Sequence, residues 1–224
     1  MYVGRVMRTD LVTAPPDTSL VKAKDIITDK GIAHLLIVDK KGKLVGIVSD
    51  RDLKQSWASP ATTLSAHELN YLLKQLTVDM IMVKKIATVS PDTTIERAAR
   101  IMEENRISAL PVIENEDLIG IITTTDVMEI LLEAIGIDGE SERFTVLVED
   151  RIGVVAEVSR ILKEEQINIR SLVTWPEKEH PGIYHLVMRV AAAHGEKAVS
   201  ALTQAGFKVL RKYADDLGPY LPTS

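Results

Sequence analysis

Residues 82–113, MVKKIATVSPDTTIERAARIMEENRISALPVI, have an earlier counterpart in this chain, in altered form, at residues 7–38. Shifting the sequence by 75 residues lays Val78, Met82, Thr88, Pro91, Asp92, Thr93, Ala98, Ile101, Ile107 and Leu110 on Val3, Met7, Thr13, Pro16, Asp17, Thr18, Ala23, Ile26, Ile32 and Leu35. One residue drops out of a polar turn, and GIVSDRD (46–52) then meets GIITTTD (120–126). A self-match of this length is an internal duplication, and repeats constrain every later inference.

Each copy predicts the same local structure. A Pro-Asp-Thr turn opens an amphipathic helix, with Thr93 and Glu96 at capping-box spacing in the second copy. Ile95, Ala98, Ala99, Met102 and Ile107 follow at mostly helical intervals. A short aliphatic strand comes next (35–38; 110–113), then a polar turn, a second strand (44–49; 118–123) and a helix starting near Asp52 or Asp126. Strands this short and apolar are expected to lie beneath helices. Between the copies, Ser65-Ala66-His67-Glu68 predicts the start of a linker helix bearing Leu69, Leu72, Leu73 and Leu76. After Ile135 the repeat stops, and 136–142 reads as a linker.

The remainder predicts a strand at 144–149 and a helix at 154–165 with Val154, Val155, Val158, Ile161 and Leu162 inward. Strands near 167–173 and 183–191, a helix at 196–205 and a last strand at 207–213 complete a β-α-β-β-α-β order, the ferredoxin-like plan. The expected class is α/β (α+β): a duplicated domain over 1–135, a ferredoxin-like domain over 143–213 and a tail over 214–224.

Composition narrows the function. Among 224 residues aromatics make up 4%, so the core is aliphatic, and a net charge of -5 argues against a nucleic-acid partner. Without cysteine there is no disulfide, thiolate nucleophile or thiolate metal site. No apolar run reaches the ~18 residues of a membrane span and no signal peptide is apparent, so the expectation is a cytoplasmic protein with no membrane partner. Phosphate-loop, nucleophile-elbow and zinc-protease motifs are absent, and His34, His67, His180, His185 and His194 lack metal-ligand spacing. The expectation is no enzyme, no metal and no catalytic cofactor.

The repeated ending pairs Gly46, Ser49 and Asp52 with Gly120, Thr123 and Asp126. Glycine admits a close neighbour, and a carboxylate beside a hydroxyl at a helix start can hold a ribose diol near a phosphate. The same residues also suit helix capping. Both readings stand.

On these motifs, together with VMRTDLVTAPPDTSLVKA (6–23) and the stretch quoted first, residues 3–134 resemble the CBS (cystathionine β-synthase) domain pair. The resemblance implies two repeats about a pseudo-twofold axis, with clefts for AMP, ADP, ATP or S-adenosylmethionine. It implies Asp52 and Asp126 on ribose, with Ser49 and Thr123 on ribose or phosphate. Backbone near Thr88, Val89 and Leu110-Pro111-Val112, or Thr13-Ala14 and Leu35–Ile37, would line an adenine pocket. Arg51 stands where the second copy has Thr125, which favours a phosphate in the first cleft.

LVEDRIGVVAEVSRILKEEQINIRS (147–171) resembles the ACT domain, a regulatory fold that binds amino acids, with Ile152 where proline is frequent. That resemblance implies an amino-acid site on Asp150, Arg151, Ile152 and Gly153, met by Asn168 across a dimer interface. The full-length order resembles the AcuB family of acetoin-utilisation proteins. The implied role is a homodimeric sensor that adjusts an unidentified regulated protein; the alternative is a ligand-free dimerisation and assembly module.

Overall fold

The computed structural model describes residues 1–57, 71, 73–137 and 140–222. The expected start of the linker helix lies outside them; Tyr71 and residues 73–75 are helical, with Leu73 buried. The chain divides into two compact units, Met1–Met128 and Glu129–Ser224.

In the first unit, β1 (Thr13–Ala14), α1 (Leu20–Lys30), β2 (His34–Val38), β3 (Leu44–Ser49) and α2 (Asp50–Ser56) form the first repeat. The second contains α3 (Ile95–Asn105), β4 (Ala109–Glu114), β5 (Asp117–Thr123) and the start of α4 (Thr124–Ala134), a helix that runs on past the unit's last residue, Met128. The β2–β3 and β4–β5 hairpins are antiparallel, with register shifts at Ile37/Val38 and Val112/Ile113. β1 runs parallel to β2 with Ala14 opposite Ile37; its counterpart is a single parallel bridge, Val89 to Val112. Leu20, Leu35, Ile37, Leu110, Val112 and Ile95 are buried. Each aliphatic side chain removed from water in this way contributes about 1.5–3 kcal/mol.

The expected cap of α3 is corrected by one residue. Thr94 is the N-cap and accepts from the Arg97 amide, whereas the Thr93 hydroxyl accepts from the Ser90 amide inside the preceding turn. Ser19 caps α1 in the same way.

The repeats exchange their first residues. Val3 and Gly4 donate to Thr93 and Pro91 carbonyls, and Arg8 pairs with Ile121. Conversely Val78 and Asp79 donate to Thr18 and Pro16, and Val83 pairs with Ile47. Each arm therefore completes the other repeat.

The second unit has β6 (Ser141–Glu149), α5 (Val154–Glu164), β7 (Ile169–Pro176), β8 (Ile183–Ala191), α6 (Gly195–Gln204) and β9 (Val209–Leu210). Its antiparallel sheet has the order β7-β8-β6-β9. Phe144, Val146, Val148, Leu186, Met188 and Val190 pack with Val158, Leu162, Ala198 and Leu202 of the helices. Three expectations change. β9 is two residues rather than seven, β7 begins two residues later, and Val155 is exposed rather than inward.

Candidate functional site

The repeated glycine has a structural explanation. A Cβ at Gly46 would stand 2.1 Å from Sδ of Met82, and one at Gly120 would stand 2.4 Å from Sδ of Met7. Both methionines belong to the exchanged arms. The close neighbour that the absent side chain admits is thus protein.

The hydroxyl and carboxylate close capping boxes. Ser49 donates from its amide (2.7 Å) and hydroxyl (2.6 Å) to Oδ2 of Asp52, whose amide returns a bond to the Ser49 hydroxyl at 3.2 Å. Thr123 treats Oδ2 of Asp126 identically, at 2.8 and 2.6 Å. The aspartates therefore sit in the first turn, and of the residues that suit capping it is Ser49, not Asp52, that is the N-cap of α2.

The two carboxylates differ at their other oxygen. Oδ1 of Asp126 accepts from Nε (2.9 Å) and Nη2 (2.7 Å) of Arg8, on the arm exchanged from the first repeat. Burial pushes the Asp126 carboxyl up, but the Thr123 hydroxyl, the Arg8 guanidinium and the Thr123 amide together hold it below the usual carboxylate range. Among the described residues, Oδ1 of Asp52 has no hydrogen-bond partner. Between the repeats His34 Nε2 meets the Ser108 hydroxyl at 2.9 Å, while its buried Nδ1 has no partner among the described residues. Burial lowers the His34 pKa, and the charge of Asp52 opposes that shift only in part.

In the second unit a cavity of about 530 Å³ opens beside the β6–α5 turn. Asp150, Arg151 and Gly153 line it with Val155, Tyr184 and Leu186. Gly153, at φ 89°, is the α5 N-cap in a backbone conformation that glycine adopts without strain. Arg151 pairs with Glu157 on the first turn of the helix.

The family model for the CBS domain matches residues 3–58 and again 78–133, and that for the ACT domain matches 143–206. The chain belongs to the CBS-domain proteins. Its first unit carries a tandem CBS pair, and an ACT domain follows. A homoserine O-acetyltransferase of Methanosalsum zhilinae is 36% identical over 130 residues, which cover 58% of this chain and 24% of that relative. The chain thus spans about a quarter of the length of that curated relative. A CBS-domain-containing protein from Agrobacterium tumefaciens is 28% identical at a TM-score of 0.51, covering 58% of this chain and 99% of that one. An AcuB-type acetoin utilisation protein of Vibrio cholerae is 29% identical at a TM-score of 0.49, covering 59% and 91%.

Around the CBS pair, Ser49, Arg51 and Asp52 share one helix start and Thr123 and Asp126 the other. Arg51 is exposed. Val89 is buried, its amide donating to the Pro111 carbonyl, and Thr88 is exposed beside it. In the ACT domain the structure brings Asp150, Arg151 and Gly153 to one cavity. Ile152 is fully exposed and does not line it, nor does Asn168, which precedes β7. Arg8, His34 and Ser108 were not among the expected residues. Arg8 is a mismatch in the self-alignment, falling opposite Val83, and a search for what the copies share passes over it.

Proposed function

We propose that the protein is a non-catalytic sensor whose CBS pair holds an adenosine nucleotide (AMP, ADP, ATP or S-adenosylmethionine) and whose ACT domain holds an amino acid, acting as a homodimer on a regulated protein. One observation carries the nucleotide reading. Asp52 is fixed through one oxygen by Ser49 and presents the other without a partner among the described residues, as a ribose diol requires. Amino-acid binding is supported by the cavity at the β6–α5 turn, where Asp150 would take the ammonium group and the amides after Gly153 the carboxylate. The ligand-free assembly reading is favoured by a different observation: both aspartates already serve capping boxes.

A calorimetric titration separates the two. Asp52→Ala weakens adenine-nucleotide binding by about 1.5–3 kcal/mol if the carboxylate holds ribose, the usual value of hydrogen bonds to a charged group. If the variant only loses about 1 kcal/mol of stability, with nucleotide affinity unchanged, the carboxylate is a helix-end device and the nucleotide reading fails.

A further inference from the structure

The exchanged arms carry equal net charge but place it differently. Residues 3–10 and 78–85 are equivalent, yet Arg5 and Arg8 in the first correspond to Met80 and Val83 in the second. The backbones superpose in their pairing. Arg8 and Ile121 exchange amide–carbonyl bonds of 2.9 and 3.0 Å, and Val83 and Ile47 exchange bonds of 3.0 and 3.2 Å. The position that sends a guanidinium to Asp126 therefore carries an isopropyl group in the half containing Asp52.

This substitution changes what each carboxylate can accept. At Asp52 an incoming diol meets an Oδ1 that no described residue occupies. At Asp126 it must displace two charge-assisted bonds from Arg8, which are stronger than bonds from neutral hydroxyls. The pair is asymmetric in burial, with side chains 61% exposed for Arg8 and 9% for Asp126. The arginine can therefore swing into solvent, but the carboxylate cannot follow it. An exchange at Oδ1 becomes favourable when the ligand brings its own anion to the released guanidinium.

Resting on the nucleotide reading above, we propose that Arg8 makes the Asp126 half selective for adenosine ligands carrying a 5′-phosphate, whereas the Asp52 half also takes uncharged ones. Arg8 is then a specificity residue supplied to one repeat by the other.

Calorimetry on the full chain with AMP and with 5′-methylthioadenosine tests this. The expected result is two AMP sites per chain and one 5′-methylthioadenosine site. Arg8→Met is expected to free Oδ1 of Asp126 and open that half to 5′-methylthioadenosine as a second site, and Arg8→Lys to restore part of the preference for AMP. Val83→Arg, at a position 47% exposed and so compatible with folding, is expected to give the Asp52 half the same preference for AMP. Equal stoichiometry for both compounds in the wild type, or a preference for AMP over 5′-methylthioadenosine unchanged by Arg8→Met and Val83→Arg, overturns the assignment while leaving nucleotide binding intact. No heat from either compound overturns the nucleotide reading itself.

Discussion

Protonating His34 would put an N–H at Nδ1 where the described residues offer no acceptor, whereas the neutral ring can donate from Nε2 to Ser108 and leave Nδ1 a bare lone pair. An orphaned donor is the costlier of the two, which agrees with the lowered pKa. The sign for stability follows. The unfolded chain takes up a proton near the ordinary value of 6.5 and the folded chain does so only at lower pH, so stability falls as pH drops through 6.5 towards the folded value. The slope from one such group is at most about 1.4 kcal/mol per pH unit. In urea unfolding between pH 7.5 and 5, His34→Gln is expected to lose less stability than the wild type. Parallel pH profiles for the two proteins would remove His34 from this role.

At the scale of elements, the methionine seats beneath the repeated glycines lock the exchanged arms. Gly46→Ala is expected to destabilise the protein by about 1–2 kcal/mol, at the lower end of overpacking costs because the Met82 side chain can yield. In a Met82→Ala background the same change is expected to cost less; an undiminished cost there would place the strain elsewhere. The helices and hairpins were legible because burial on one face repeats every 3.6 or two residues, and duplication printed each signal twice. The arms were not legible. Nothing in residues 3–8 states which repeat they pair with, and the glycine that receives Met7 lies more than a hundred residues away. Thr93 and Thr94 look equivalent as caps until the turn claims the first of them. The Asp-x-x-Gly turn of the ACT domain was readable, but the exposure of Ile152 and Val155 depends on tertiary packing that periodicity does not encode.

For the whole molecule the open sheet edges matter most. Among the described strands β7 pairs with β8 alone and β9 covers two residues of β6, so the ACT sheet has open edges. Such an edge favours pairing with a second copy, and a twofold assembly closes it symmetrically. Light scattering at micromolar concentration is expected to report a mass twice 24.7 kDa; the monomer mass would count decisively against a homodimer.

The exchange of arms also bears on how such a chain could have arisen. A gene encoding one repeat alone would make a polypeptide whose own leading residues fit a neighbour's hairpin and whose own hairpin lacked a leading segment. Two identical chains trading those segments would satisfy both needs, so the ancestral functional unit would already have been a pair of molecules. Joining the two reading frames would turn that reciprocal partnership into a single inheritance. Once two copies of the coding sequence exist the halves can diverge, since a change to one no longer appears automatically in the other. The arginine in one arm and the valine in the other are differences that no symmetric predecessor could have carried.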